Sequence, residues 1–187
     1  FSDNHYRVAL VDVPHSHSQK LRQFQKFQHH HHHPNKITAF EVQFVGAKEN
    51  GKWESNRGKA HPRNYFLGNN EGAWQAKVAS SFGIEQSEIY PGVLVEFHGD
   101  GGELKYNFHL APKADPSLIK MQYNGVENLQ LVGDRLLIET ALGKVWERIP
   151  ESYQMINGKK KLVSVSYVLE GNIVRFKVGK YQTEHPL

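Results

Sequence analysis

Apolar side chains at every second position constrain the fold of this 187-residue chain more than any other feature. The clearest run is Glu103–Leu110, with apolar residues at Leu104, Tyr106, Phe108 and Leu110 and polar residues between them. Successive side chains of a β-strand point to opposite faces, so this spacing gives a strand one apolar face. A helix would scatter the same residues around its circumference. The spacing therefore predicts a strand.

The same alternation recurs along the chain. The further runs are Tyr6–Leu10, Ile37–Val45, Val93–Phe97, Ile119–Tyr123, Leu129–Leu131, Leu136–Ile138, Val163–Leu169 and Val174–Val178. Hydrophobic residues make up 39% of the chain and charged residues 22%, which are values typical of a globular protein with a core. We therefore expect an all-β fold with little helix.

Short turns join these runs and predict how neighbouring strands pair. Asn157–Gly158 is a strong hairpin signal, because both central residues of a type I′ turn need positive φ. Other connections that contain glycine are Tyr90–Gly92, Gly99–Gly102 and Glu170–Asn172. A parallel crossover needs about a dozen residues or more, so connections this short require antiparallel neighbours. The expected architecture is an antiparallel, β-sandwich-like meander of about ten strands.

Two segments leave the choice between helix and strand open, and a third differs in composition. Glu71–Ser81 fits a short helical turn or another strand, and Asp115–Ser117 fits a turn with or without a short helix. Residues 14–36 are polar and rich in His and Gln, so we expect a mobile loop there. The loop is expected to lie within a single β domain spanning residues 1–187. Because the chain starts at Phe1 with no initiator Met or signal peptide, we expect a processed fragment.

Composition excludes several classes of function. The absence of Cys excludes disulfides, thiol catalysis and thiolate metal sites. The formal net charge of +4 is spread along the chain, so we expect no nucleic-acid partner. The one basic cluster, Lys159–Lys161, is interpreted as a solvated hairpin end. No apolar run approaches the roughly 18 residues of a membrane helix, so we expect no membrane span.

Five consecutive histidines are the most conspicuous potential metal ligands. Imidazole binds zinc, copper and nickel. Structural sites, however, bring their ligands together through a folded backbone, and adjacent residues in a loop do not converge on one ion in that way. We therefore expect a solvated low-complexity loop, with no metal and no other cofactor. The candidates for the alternative, a metal site, are His29, His30, His31, His32 and His33.

Carboxylates could supply an acid–base pair, which glycoside cleavage needs at a separation of about 5 to 10 Å. The candidates are Asp100, Glu103, Asp115, Glu127 and Glu139. Most of them sit in predicted turns or on polar strand faces, where acidic residues are common. The chain also lacks a Gly-x-Ser-x-Gly elbow, a phosphate-binding loop and a His-Glu-x-x-His motif. We therefore expect that the protein is not an enzyme.

Exposed aromatic rings could form a platform for sugar rings. Trp53, Trp74 and Trp146 are the tryptophans of the chain, but large aromatic residues also fill ordinary cores. Trp146 lies between Val145 and Glu147 in a short predicted strand, where it could face outward. Trp74 and Trp146 are retained as ligand-binding candidates, and burial in the core is the preferred interpretation.

An ordered set of short motifs gives the chain a resemblance to a known family. The motifs are Asn64–Asn69, Trp74, Tyr90–Val93, Gly102–Phe108, Ala111–Ser117, Ser152–Gln154, Asn157–Gly158 and Tyr167–Tyr181. In this order they resemble the N-terminal, DUF7948-like β domain of large secreted bacterial proteins that carry SBBP-type β-propeller repeats. The resemblance covers residues 37–187. Lys113 stands where the family usually has Gly, and an N-x-G-Q-W run that usually opens the domain is missing.

The resemblance implies a setting more than a mechanism. Such proteins are exported, are frequent in Bacteroidetes, and are often associated with gliding motility and type IX secretion. It implies a non-catalytic structural or interaction module at the extracellular or outer-membrane surface, placed before propeller or other repeats. The implied partners are other domains of the same surface protein, with a glycan or a surface protein as further candidates. A carbohydrate-binding module that uses exposed aromatic residues is the alternative.

Overall fold

The computed structural model of the chain describes residues 4–12, 36–49, 51–55, 59–65, 74–100, 103–149 and 151–187. These residues form sixteen β-strands and one turn of 3-10 helix, so the expected all-β fold is confirmed. The strands are β1 (His5–Val11), β2 (Ile37–Phe44), β3 (Glu54–Ser55), β4 (Lys59–Tyr65), β5 (Gln75–Ser81), β6 (Gly83–Tyr90), β7 (Val93–Asp100), β8 (Glu103–Leu110), β9 (Lys120–Asn124), β10 (Asn128–Val132), β11 (Arg135–Thr140), β12 (Gly143–Arg148), β13 (Ser152–Ile156), β14 (Lys159–Val163), β15 (Val165–Glu170) and β16 (Ile173–Val178). Sixteen exceeds the roughly ten expected from alternation, because polar strands such as β3 and β4 carry no apolar pattern. The segment at residues 14–36 lies outside the described residues except for Lys36.

A five-stranded antiparallel sheet runs in the order β1-β2-β9-β16-β15. Two of its pairings join distant parts of the chain: Val42 of β2 lies opposite Tyr123 of β9, and Met121 of β9 lies opposite Val174 of β16. The sheet is therefore more than a meander of consecutive hairpins. Pairing these strands side by side joins their apolar faces into one surface.

The other sheets are smaller. A four-stranded sheet has the order β3-β6-β7-β8, and a three-stranded sheet has the order β10-β11-β12. The hairpins β4–β5 and β13–β14 are each two-stranded. Every described strand pair is antiparallel, as the short connections predict.

The core lies where the five-stranded and four-stranded sheets face each other, and β11 adds to it. Ring contacts join the two layers, with Tyr6 and Phe97 at 4.9 Å and Phe108 and Phe176 at 5.7 Å between ring centroids. The buried residues come from the predicted apolar faces and include Phe40, Val42, Phe44, Val93, Val95, Met121, Tyr123, Leu136, Ile138 and Val174. Leu104 departs from the prediction, because it is 54% exposed and lies opposite Gly99, which has no side chain to pack against it.

The predicted turns show the backbone geometry that their residues favour. Asn157 and Gly158 have φ of 52° and 73°, which is the pair of positive values that a type I′ turn requires. They join Ile156 to Lys159, which lie opposite each other as the last pair of the β13–β14 hairpin. Pro91 and Gly92 join β6 to β7, and Gly92 has φ of 70°. The hairpins expected at these positions are therefore confirmed.

The two segments left open by the sequence resolve differently. Gln75–Ser81 is a strand, so the second half of Glu71–Ser81 is not helical. Pro116–Leu118 forms the 3-10 helix, and the Asp115 carboxylate caps it by accepting a hydrogen bond from the Ser117 backbone N–H at 2.9 Å. Among the described residues, no helix is long and apolar enough to cross a membrane.

Tyr90 ties the end of β2 to the start of β9. Its hydroxyl lies 3.2 Å from the carbonyl oxygens of Val45 and Lys120, to which it can donate. The residue is buried, and this burial raises the pKa of its hydroxyl to about 12. The hydroxyl therefore stays protonated and acts as a hydrogen-bond donor between two segments that are distant in sequence.

Replacing Tyr90 with Phe is expected to lower the free energy of unfolding by about 1 kcal/mol, because the Val45 and Lys120 carbonyls lose a shared donor. Urea unfolding curves of the two proteins measure the difference. Tyr153→Phe is the matched control, because that ring is exposed. Equal effects of the two substitutions would show that the Tyr90 hydroxyl does not stabilise the fold.

Candidate functional site

A groove opens at one edge of the sandwich, where the core is incompletely covered. It has a volume of about 290 Å³ and lies between the edge strand β8, strands β15 and β16, strand β13 and the C-terminal residues. Its lining is mainly apolar and includes Phe108, Val165, Phe176 and Val178. Phe108 and Phe176 are only half-buried, so the groove exposes part of the aromatic core.

Strand β13 presents an unexpected face to this groove. Tyr153 and Met155 line it and are exposed, while Gln154 between them is 2% exposed. Alternation alone would place the two apolar residues inside and the amide outside. The inversion puts apolar side chains at the groove and a polar side chain in the interior.

Hydrogen bonds explain why Gln154 is stable in the interior. Its Nε2 donates to the carbonyl oxygens of Gln182 at 2.8 Å, His185 at 3.0 Å and Pro186 at 3.2 Å. Its Oε1 accepts from the backbone N–H of Gln182 at 2.8 Å. A buried amide that is hydrogen-bonded in this way avoids the penalty of an unpaired polar group. Gln154 thus holds the C-terminal segment in place as one wall of the groove.

A half-buried glutamate, Glu147, lies behind the groove. Strand β12 alternates between inward Val145 and Glu147 and outward Trp146 and Arg148, so Glu147 points toward the core opposite buried Leu136. The Glu147 Oε2 accepts hydrogen bonds from the hydroxyls of Tyr123 at 2.9 Å and Tyr106 at 3.2 Å. Burial raises the pKa of the Glu147 carboxyl to about 7, and the two hydrogen bonds oppose part of that rise.

Two further tyrosines, Tyr6 and Tyr167, complete the group around Glu147. Burial raises the pKa of all four tyrosine hydroxyls, and the nearby Glu147 charge raises each pKa further. The neighbouring Tyr106 side chain influences the pKa of the Tyr167 hydroxyl. Within the described residues, however, the buried Tyr167 hydroxyl has no hydrogen bond of normal geometry.

Tyr106 connects the groove to the Glu147 carboxyl. It is one of the residues that line the groove, and its hydroxyl donates a hydrogen bond to Glu147. A carboxyl with a pKa of about 7 changes protonation in the physiological range, which is a feature of some catalytic sites and of some buried structural networks. Its described hydrogen-bond partners are tyrosine hydroxyls, which are neutral at that pH. Among the residues that the structure describes, no group of three or more His, Cys, Asp or Glu side chains is placed to hold a metal ion.

The residues singled out from the sequence are not brought together. Trp146 is 47% exposed on the outer face of β12, and Trp74 is 39% exposed immediately before β5, in a different sheet. Trp53 packs against Phe97 at 5.6 Å between ring centroids, which agrees with the core interpretation for this residue. His29 to His33 lie outside the described residues.

The candidate carboxylates serve local structure or lie at the surface. Asp115 caps the 3-10 helix, and Glu139 pairs with Lys144 at 2.8 Å. Glu103 and Glu127 are exposed, and the side chain of Asp100 is outside the described set.

Sequence reasoning missed Glu147 and Gln154, the inward polar residues that support the groove. One signal was available for Glu147: it shares the parity of Val145, so it occupies the same face as an apolar residue. The same kind of signal marks Gln154, which shares the parity of Ile156, but the backbone groups that satisfy its amide lie about thirty residues further along the chain.

Comparisons with known proteins give a family and no function. No curated protein matches this sequence, and no solved structure matches it. A family described as a domain of unknown function, DUF7948, matches it over residues 1–187. A match over the whole chain agrees with the resemblance seen in the motifs, and this chain belongs to the DUF7948 family.

Proposed function

We propose that this protein is a non-catalytic interaction module that binds a polypeptide partner through the groove beside β8. The observation that carries the proposal is the incompletely covered core at that edge, where Phe108 and Phe176 remain half-buried. Half-exposed aromatic residues gain free energy when a partner removes them from water, at roughly 25 cal/mol for each Å² of apolar surface buried. A mainly apolar lining with a few polar groups at Asn107, Glu151 and Ser152 suits such a partner.

The surroundings of Glu147 support a non-catalytic role. Its carboxyl is held by Tyr123 and Tyr106, and a buried polar network of this kind stabilises a defined core. A glycosidase needs a second carboxyl about 5 to 10 Å from the first, on either side of a substrate. The partners that the structure gives to Glu147 are tyrosines.

We further propose that the module belongs to a secreted or cell-surface bacterial protein and precedes propeller or other repeats. The ordered motifs support this setting, because they resemble those of the first domain in exported SBBP-repeat proteins. Labelling intact cells of the source organism with a membrane-impermeant reagent tests it. Labelling of this protein is the expected result, and labelling only after lysis would contradict the proposed location.

Peptide selection with the isolated protein tests the groove. A displayed library of random peptides is expected to yield binders whose affinity falls about tenfold or more in Met155→Arg, since the new charge would project into the apolar groove. Met155 is 53% exposed, so folding should be preserved.

Val132→Arg is the matched control, because Val132 is an exposed apolar residue of β10 that does not line the groove. Binders should tolerate this change. Selected peptides that bind both variants as tightly as the parent protein would overturn the groove as the binding site.

Carbohydrate binding is a second candidate, favoured by the position of Trp146. Its ring is 47% exposed on a sheet face that also carries Arg148, and it lies opposite Leu137 of β11. An exposed ring beside polar side chains is the arrangement that stacks on sugars. A glycan array is expected to show binding that Trp146→Ala abolishes. Glycan binding that survives Trp146→Ala, or an array with no binding, would contradict this candidate.

A further inference from the structure

Strand β8 is the end strand of its sheet, and the contacts of Leu110 show which of its residues direct their backbone groups outward. The backbone N–H of Leu110 donates to the Leu187 carbonyl at 2.7 Å, and the N–H of Leu187 donates to the Leu110 carbonyl at 3.0 Å. Both polar groups of Leu110 therefore point away from β7. Backbone direction alternates along a strand, so those of Phe108 and Tyr106 point the same way.

Within the part of β8 that lines the groove, Tyr106 and Phe108 therefore have outward-facing backbone groups that Leu187 does not occupy. Asn107 and His109, which alternate with them, direct their backbone groups toward β7. Among the described strands, β8 has no neighbour on its outer side beyond the contact with Leu187.

The groove follows this edge. Every residue from Tyr106 to Leu110 lines it, including both those that face the core and those that face away. A cavity over one face of the strand would contact alternate residues only. The space therefore runs alongside the backbone of β8, with Val165 and Phe176 of the opposite sheet on its inner side.

We propose that the groove binds an extended strand from a partner polypeptide, antiparallel to β8, with apolar side chains at alternate positions. The partner's backbone pairs with Phe108 and Tyr106, and its inward side chains cover Val165 and Phe176. A partner strand that runs in the same direction as the chain at Leu187 would repeat the reciprocal bonds of Leu110 and Leu187, which is the antiparallel pattern. This inference rests on the proposed function and adds the conformation and direction of the bound segment.

The contact with Leu187 favours a strand over a compact apolar ligand. It shows that this edge already accepts a residue of extended chain, and a partner strand continues that ladder past His109. Strand addition at a sheet edge obtains affinity from main-chain hydrogen bonds and specificity from pockets for alternate side chains.

Amide hydrogen exchange with a designed peptide tests the inference. The probe is a short synthetic peptide in which Val and Thr alternate. The control peptide has the same sequence, with N-methyl groups on the alternate backbone nitrogens that would face β8. The unmodified peptide is expected to slow exchange of the Tyr106 and Phe108 amides by about tenfold or more, while the amides of Asn107 and His109 change little. The N-methylated peptide should give no protection, because it cannot complete the ladder.

Each other outcome has a defined meaning. Equal binding of both peptides, or binding without protection of Tyr106 and Phe108, overturns strand pairing and leaves the groove as a site for apolar side chains. No binding of either peptide overturns this inference, while the displayed-library selection decides the proposed function separately. Protection of the same amides that rises with protein concentration, without peptide, would identify a second copy as the occupant and overturn the partner strand.

Discussion

Replacing Glu147 with Gln is expected to remove a pH dependence of stability worth about 1 to 3 kcal/mol between about pH 5 and pH 8. In the folded protein, burial raises the pKa of this carboxyl from 4.5 to about 7. Over that interval the folded state retains a proton that the unfolded state has released. The folded protein therefore loses stability as the pH rises from about 4.5 to about 7, and the loss is complete above the folded pKa.

The amide introduced by Glu147→Gln would remain neutral at every pH and could still accept a hydrogen bond from Tyr123. The variant should match the parent protein near pH 5 and be more stable near pH 8. Denaturant unfolding at the two pH values measures the difference, and contributions from other groups cancel between the two proteins.

Glu139→Gln provides the control for this comparison. Its side chain is 25% exposed, and hydrogen bonds from Lys144 and Asn128 lower its pKa. A lowered pKa means that its contribution to stability is lost only as the pH falls below about 4.5. The effect of this substitution should therefore be the same at both pH values. A Glu147→Gln variant whose effect is equally constant would show that the Glu147 carboxyl is ionised in the fold throughout.

Replacing Gln154 with Ala is expected to lower the free energy of unfolding by about 2 to 4 kcal/mol. The substitution leaves the carbonyl oxygens of Gln182, His185 and Pro186 without their shared donor, and it opens a cavity. The C-terminal wall of the groove should also loosen. Urea unfolding measures the first effect, and faster amide exchange at Gln182, whose N–H donates to Gln154, measures the second.

Gln130→Ala is the matched control for this prediction. Gln130 is exposed on β10, so its removal should change stability by no more than about 0.5 kcal/mol. Similar losses from the two substitutions would show that the buried amide does not hold the C-terminal segment.

The elements with a clear alternation were predictable. Phe40, Val42 and Phe44 were assigned to one face of a strand, and all three are buried in β2. Successive side chains of a strand point to opposite faces because of the backbone geometry. The grouping of alternate residues on one face is therefore the same whichever strands pair with it. The Asn157–Gly158 turn was equally local, because positive φ is a property of the residues themselves.

Pairing between distant strands was not predictable in the same way. The run Val163–Leu169 keeps one parity, yet the structure breaks it at Ser164, and β14 and β15 enter different sheets. The neighbours of β9 are β2 and β16, which no local signal indicates. Partner choice depends on burying all apolar faces together, and that is a property of the whole chain.

In the candidate site, too, local patterns were predictable and long-range contacts were not. The sequence by itself determined that Glu147 shares a face with Val145, and that Tyr153 and Met155 lie on the opposite side of a strand from Gln154. Only the tertiary structure decided which of these faces is inside. Gln154 is buried because distant backbone groups satisfy its amide, and Glu147 faces inward where four tyrosines from other strands surround its carboxyl. Alternation fixes which residues lie together, and the hydrogen bonds available after packing fix which polar residues the interior can hold.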